Sequence, residues 1–277
     1  MNKYGKIMLV ILLALGLVLS AAACGKPAPA PQPPKQELPK EQPKPEVVYK
    51  VGTEPTFPPF EFLDKNTNQI TGFDIELIKA IAQEEGFKVE IINLGFEGLI
   101  PALQAGTINI IASGMTITDK RKEQIDFSNP YVNSGLAIAV AKNNDTIKSE
   151  ADLKGKKVAV QIGTTGANKA DELKKKGIIK TIKTYNTVDV VMAEVAKGTV
   201  DAAINDAPVT QDFISKGHSE IKIVGDLLDS EQYGFAVAKG KKELLDKINS
   251  GLKKVIEKGK YEELRKKYNL PETALPK

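Results

Sequence analysis

The segment Ile108-Asn109-Ile110-Ile111-Ala112-Ser113-Gly114-Met115-Thr116-Ile117-Thr118-Asp119-Lys120-Arg121 decides how the rest of the chain is read. Ile108 to Ala112 is a short apolar run, which predicts a buried strand. A polar loop follows, and Thr118 stands where the next helix needs an N-cap. Arg121 then falls in the first helical turn, where the macrodipole disfavours a cation. A bidentate grip on a carboxylate would account for it. Taken alone, Arg121 reads more simply as a surface arginine on a charged helix.

Outward from this segment, strand-like and helix-like runs alternate. Upstream lie a strand at Val47 to Thr53, an amphipathic helix at Gly72 to Glu85, a strand at Val89 to Leu94 and a short helix at Gly98 to Gly106. Downstream, strands are predicted at Gly135 to Ala141, Lys157 to Gln161, Ala202 to Ile204 and Tyr233 to Ala238. Helices are predicted at Gly166 to Lys176, Val188 to Lys197, Pro208 to Lys216, Glu243 to Glu257 and Tyr261 to Lys267. Such interleaving argues for an α/β class with parallel sheets, whose ligands sit outside the carboxyl ends of strands.

Two more loops fall at such ends. Gln161-Ile162-Gly163-Thr164-Thr165-Gly166 joins a strand to a helix whose free N–H groups favour an anion, but it lacks the lysine and spacing of a P-loop. Asn205-Asp206-Ala207-Pro208 offers an acid that is either a helix cap or the partner of an ammonium group. Glu54, Phe57, Phe60 and Phe96 complete the inventory, and each aromatic taken singly is more often core than ligand platform.

Composition removes several classes. The 277 residues are 42% hydrophobic and 27% charged, enough for one large domain or two lobes. A single cysteine, Cys24, and a single histidine, His218, leave no internal disulfide and remove most metal, Cys/His and Ser/His/Asp chemistry. The net charge of +4 comes mostly from dispersed lysines, and aromatics are only 6%, so no nucleic-acid partner is expected.

The N-terminus reads as an export signal over residues 1–23. Lys3 and Lys6 precede an apolar run, Ile7 to Leu19, too short for a comfortable membrane span, and small residues follow. Cys24-Gly25 then resembles a bacterial lipobox, with Ala21 standing where that pattern usually has Leu. Lipidation of Cys24 is expected, with ordinary secretion as the alternative. Gly25 to Glu46 holds half of the chain's 16 prolines. Such a stretch cannot bury enough surface to fold, and at about 3.1 Å per residue it would reach on the order of 70 Å. A tether is the expected role, a proline-rich ligand for a partner the alternative.

Taken in order, the segments from Val47 to Leu270 resemble the bacterial extracellular amino-acid-binding proteins of ABC transporters, family 3, of the glutamine or lysine-arginine-ornithine-binding type. The strings that carry the resemblance are Val51-Gly52-Thr53-Glu54-Pro55-Thr56-Phe57-Pro58-Pro59-Phe60-Glu61-Phe62, Gly72-Phe73-Asp74-Ile75, Ile100-Pro101-Ala102-Leu103 and Thr116-Ile117-Thr118-Asp119-Lys120-Arg121. Asp126-Phe127-Ser128, Leu153-Lys154-Gly155-Lys156, Gly163-Thr164-Thr165 and Tyr233-Gly234 continue it. The resemblance implies a two-lobed type II periplasmic-binding-protein fold, with two parallel-rich sheets flanked by helices and joined by two hinge strands. Lobe 1 would be 47–131 and 233–277, lobe 2 132–232. It also implies roles. Arg121, helped by Thr116 and Thr165, would hold a ligand carboxylate. Asp206, with Ser113 and Gly114, would hold the α-ammonium. Phe57 and Phe96 would sandwich the side chain and Glu54 would meet its far end. Gln161, Thr164 and Asn205 complete the expected ligand set.

A zwitterion would neutralise Arg121 and Asp206, leaving Glu54 to be balanced by a cationic side chain. Arginine or lysine is therefore expected, with arginine's fork suiting a carboxylate best. Glutamine is the alternative, since glutamine-binding members also carry an acid at the Glu54 position, although they tend to have Lys where this chain has Gln161. A cyclohexadienyl dehydratase-like enzyme would need an uncommitted acid near the ligand, and a sensor within a larger receptor would need a signalling segment. The expected protein is a monomeric, non-enzymatic binding lipoprotein outside the cytoplasm, free of cofactors and metals, serving an ABC permease.

Overall fold

The computed structural model describes residues 46–276, so the expected signal peptide, Cys24 and almost all of the proline-rich stretch lie outside the described residues. The chain builds β1 (Val48–Thr53), β2 (Thr56–Phe57), β3 (Glu61–Leu63), β4 (Ile70–Thr71), α1 (Phe73–Glu85), β5 (Lys88–Asn93), α2 (Leu99–Gln104), β6 (Ile110–Ile111), α3 (Asp119–Lys122) and β7 (Ile125–Phe127). Next come β8 (Val132–Ala141), β9 (Lys157–Gln161), α4 (Thr165–Lys175), β10 (Thr181–Tyr185), α5 (Val188–Lys197), β11 (Ala202–Asp206), α6 (Ala207–Ser215) and β12 (Ile221–Tyr233). β13 (Ala236–Ala238), α7 (Lys242–Glu257) and α8 (Lys260–Lys267) follow.

Two five-stranded sheets result, ordered β5-β1-β6-β13-β7 and β10-β9-β11-β8-β12. β1 runs parallel to β5 and β6, and β9 parallel to β10 and β11. β13 pairs antiparallel with β6 and β7, and β8 antiparallel with β11 and β12, so both sheets are mixed. Each sheet with its helices forms one lobe of a type II fold. The chain leaves the first sheet after β7 and returns after β12. The two crossings are hydrogen-bonded to each other, with Val132 paired to Tyr233 and Ser134 to Glu231.

Local sequence explains the elements that carry the cleft. α1 buries Phe73, Ile75, Leu77, Ile78, Ile81 and Ala82 at helical spacing and stops at Gly86, whose φ of 69° only glycine adopts freely. β12 was not expected before Tyr233. Of its residues only Ile221 and Tyr233 are buried, and the pairing shifts between Val224 and Asp229, so no hydrophobic alternation marks it. β11 extends through Asp206, two residues beyond the expected end, and thereby carries the acid on a strand. No helix among the described residues is long and apolar enough to cross a membrane.

Candidate ligand cleft

Thr118 caps α3 as its position predicts, its hydroxyl accepting from the Arg121 N–H at 3.2 Å. Arg121 is not a surface residue; it is 7% exposed. Its Nη1 donates to the Thr116 carbonyl at 2.8 Å, and its Nη2 crosses to the other lobe to donate to the Gly163 carbonyl at 3.1 Å. The guanidinium lies 5.5 Å from the centre of the Phe96 ring. Burial lowers its pKa, while Glu231 and Asp206 push it up from a distance, and among the described residues neither forms a salt bridge with it. The result is a buried cation bonded only to carbonyl oxygens.

Asp206 is buried at the end of β11 and caps nothing with its side chain. Its Oδ1 accepts from the Tyr233 hydroxyl and from Ser134 Oγ at 3.3 Å. Burial raises its pKa against those hydrogen bonds and the field of Arg121. Its neighbour Asn205 is not brought to this group. The Asn205 amide donates instead to the Asp206 carbonyl at 3.3 Å and to Thr210 Oγ1 at 3.2 Å.

The Glu54 end is also buried. Oε2 accepts from Thr56 Oγ1 at 2.8 Å and from Gln161 Nε2 at 3.0 Å, and the Glu54 N–H donates to Ser113 Oγ at 2.9 Å. Gln161 Nε2 also donates to the Asn186 carbonyl at 3.0 Å, and the Val188 N–H donates to Thr56 Oγ1 at 3.2 Å. One lobe is thus tied to the other through this carboxyl. Burial raises its pKa and the Thr56 and Gln161 bonds oppose the rise. Phe57 packs against Gly114, where a Cβ would meet the ring at 2.7 Å and φ is +46°, so only glycine fits. Thr164 has a structural task, capping α4 through the Ala167 N–H at 3.1 Å and donating to the Gln161 carbonyl at 2.8 Å.

Several groups were not singled out from sequence. Behind Ser113 and Gly114 lie two fully buried acids, Glu61 and Asp74. Ser113 Oγ donates to Glu61 Oε1 at 3.1 Å, while the Gly114 N–H, at 2.9 Å, and the Tyr131 hydroxyl, at 2.5 Å, both donate to Asp74 Oδ2. Burial lifts Glu61 well above the carboxylate range, with Asp74 adding to the rise, and lifts Asp74 to about 7. On the crossing strand, Glu231 Oε2 accepts from Thr116 Oγ1 at 3.2 Å. Thr165 lines the same groove as Glu231, and the charge of the nearby Asp206 carboxyl acts on it. A groove of about 1160 Å³ opens beside Thr116, Thr165 and Glu231. Chain pattern gives no signal for these; Glu231 in particular reads as one more charged residue in a polar stretch.

A cation and two acids, held on facing lobes around an aromatic floor, suit a ligand of mixed charge. The sequence pattern of the bacterial extracellular solute-binding proteins, family 3, matches residues 49–271. The chain belongs to that family. Among family 3 relatives, the arginine-binding extracellular protein ArtP of Bacillus subtilis (strain 168) is 33% identical over 261 residues, spanning 94% of this chain and 96% of that one. An ancestral arginine-binding protein solved bound to arginine is 44% identical, with a TM-score of 0.77 over 80% of this chain and 98% of that one. An ancestral arginine-binding protein bound to glutamine is 43% identical, with a TM-score of 0.76 over 82% of this chain and 99% of that one.

Proposed function

We propose that this family 3 protein captures a basic amino acid, arginine or lysine, between its lobes for the permease of an amino acid ABC importer and performs no chemistry on it. The carrying observation is Arg121, a buried guanidinium whose hydrogen bonds go only to the Thr116 and Gly163 carbonyls. A ligand α-carboxylate is the partner that such a cation lacks. Asp206 then takes the α-ammonium and Glu54 the cationic end of the side chain, with Thr116 and Thr165 beside the carboxylate and Phe57 and Phe96 along the stem. The arginine-binding ArtP and the ancestral protein solved with arginine support arginine. Export and a lipid on Cys24 belong to the same reading and would hold the protein at the membrane outside the cytoplasm, on the outer face of the plasma membrane or in a periplasm.

Glutamine is a second reading with its own observation. Glu54 Oε2 already accepts from both Thr56 and Gln161, so Oε1 is the oxygen left to meet a ligand, and one acceptor suffices for an amide. Calorimetry decides between them. The full-length protein, unfolded and refolded to strip ligand, is titrated with arginine, lysine, histidine, glutamine and glutamate. Binding of arginine or lysine, lost in Arg121→Ala, is expected. Preference for glutamine would reassign Glu54 as a hydrogen-bond acceptor, and silence from all five would overturn the proposal.

A further inference from the structure

We infer that Glu231 is a further ligand-contacting residue, a carboxyl kept neutral on the crossing strand whose O–H donates to the ligand's α-carboxylate beside Arg121. The inference rests on the reading above, in which Arg121, Thr116 and Thr165 form the carboxylate seat. Glu231 meets three elements at once. Thr116 Oγ1 from the first lobe donates to its Oε2 at 3.2 Å, and Thr165 from the second lobe lines the same groove. The Asp206 carboxyl on β11 is near enough for its charge to act on Glu231. Glu231 therefore occupies the Thr116 hydroxyl, one of those that would hold the incoming carboxylate.

Charge then decides its state. Two neighbouring buried carboxyls do not both ionise readily, and a ligand carboxylate on the Thr116 hydroxyl would add a third anion opposite one guanidinium. With Glu231 neutral the set balances: Arg121 against the ligand carboxylate, Asp206 against its ammonium, and Glu231 as a donor to the oxygens. The other groups facing Glu231 do not supply a buried cation. The Tyr233 hydroxyl is given to Asp206. Lys120 and Lys122, from the α3 side, line the open groove. On α4, Lys169 pairs with Asp229 at 3.2 Å and with Glu150 at 3.9 Å, while Asp171, Glu172 and Lys175 line the same open groove. Burial, followed by the nearby Asp206 charge, lifts the Glu231 carboxyl to about 8 despite Thr165, Thr116 and Arg121.

The test compares full-length wild type with Glu231→Gln, which keeps the shape of the neutral acid and cannot titrate. Arginine is titrated calorimetrically at pH 6.5, 7.5, 8.5 and 9.5, with melting curves at each pH to establish folding. The two proteins are expected to agree within tenfold at pH 6.5 and 7.5. Above pH 8 wild-type affinity falls relative to the variant by up to about tenfold per pH unit. Ionisation of the ligand's own ammonium is common to both and cancels in the ratio. Glu231→Met is expected to bind more weakly but to show the same difference in slope, and it serves if the glutamine variant does not fold. A ratio that stays flat from pH 6.5 to 9.5, or a loss beyond tenfold at pH 6.5 in Glu231→Gln, would overturn the inference. Absence of arginine and lysine binding by wild type at every pH would instead sink the amino-acid reading, and this inference with it.

Discussion

Gln161 reaches from the second lobe to donate Nε2 to Glu54 Oε2 of the first at 3.0 Å, while the same nitrogen holds the Asn186 carbonyl at 3.0 Å. The carboxyl expected to choose the ligand's side chain is therefore also a tie between lobes. Closure and selectivity share one carboxyl. Gln161→Ala removes a hydrogen bond to a charged group, worth about 1.5–3 kcal/mol. Arginine affinity is expected to fall by about one to two orders of magnitude, with Tm little changed because the core packing of β9 through Val158, Ala159 and Val160 is untouched. Titration and a melting curve on the same sample check both halves.

Replacing Glu54 with glutamine removes the countercharge but keeps an acceptor for Thr56. Arginine affinity is expected to drop at least about a hundredfold, since one fully buried ion pair is broken. Glutamine affinity should hold or rise. The quantity to measure is the arginine-to-glutamine ratio of Kd values; an unchanged ratio would deny Glu54 a role in side-chain choice.

Gly114→Ala places a Cβ 2.7 Å from the Phe57 ring at a residue with φ of +46°. Strain and overpacking together are expected to cost about 2–4 kcal/mol. Thermal unfolding should show a lowered Tm, and ligand titration a weakened site, because Phe57 must leave its seat.

Asp74 provides a pH signature. Its carboxyl is raised from an ordinary 3.8 to about 7, chiefly by burial. Between those values the unfolded chain releases the proton while the folded chain keeps it. Stability is thus fully present below about pH 4 and lost as pH rises toward 7. Asp74→Asn cannot ionise and retains an oxygen for Tyr131 and Gly114. Wild-type Tm is expected to fall relative to that variant between pH 4 and 7, and the gap to level off above. Calorimetric scans across that range measure it; a constant gap would mean that Asp74 is already ionised.

How far the site was legible depended on whether a residue's role is local. Thr118 capping α3 is a short-range matter of hydroxyl and N–H, and spacing alone places it. The alternation of strands and helices gave the α/β class for the same reason. Asp206 needed the structure: its position before Ala207-Pro208 suits a cap, yet its side chain is claimed by Tyr233 and Ser134, 27 and 72 residues away. Glu61, Asp74 and Tyr131 meet over separations no local pattern reports. β12 was missed because a half-exposed, bulged strand lacks alternation, and Glu231 was missed with it.

The strand order also fixes when each half of the molecule can be finished. β13, residues Ala236–Ala238, lies between β6 and β7, and β7 has no other neighbour in its sheet. The second sheet draws all its strands from one uninterrupted stretch, Val132–Tyr233, and can assemble as soon as that stretch is available. The first must wait for segments about a hundred residues apart to meet, a slow kind of contact. A chain cut short before Ala236 would leave β6 with an open edge and β7 stranded, and such edges recruit strands from other copies. Completion of this protein is thus decided by three residues close to its end.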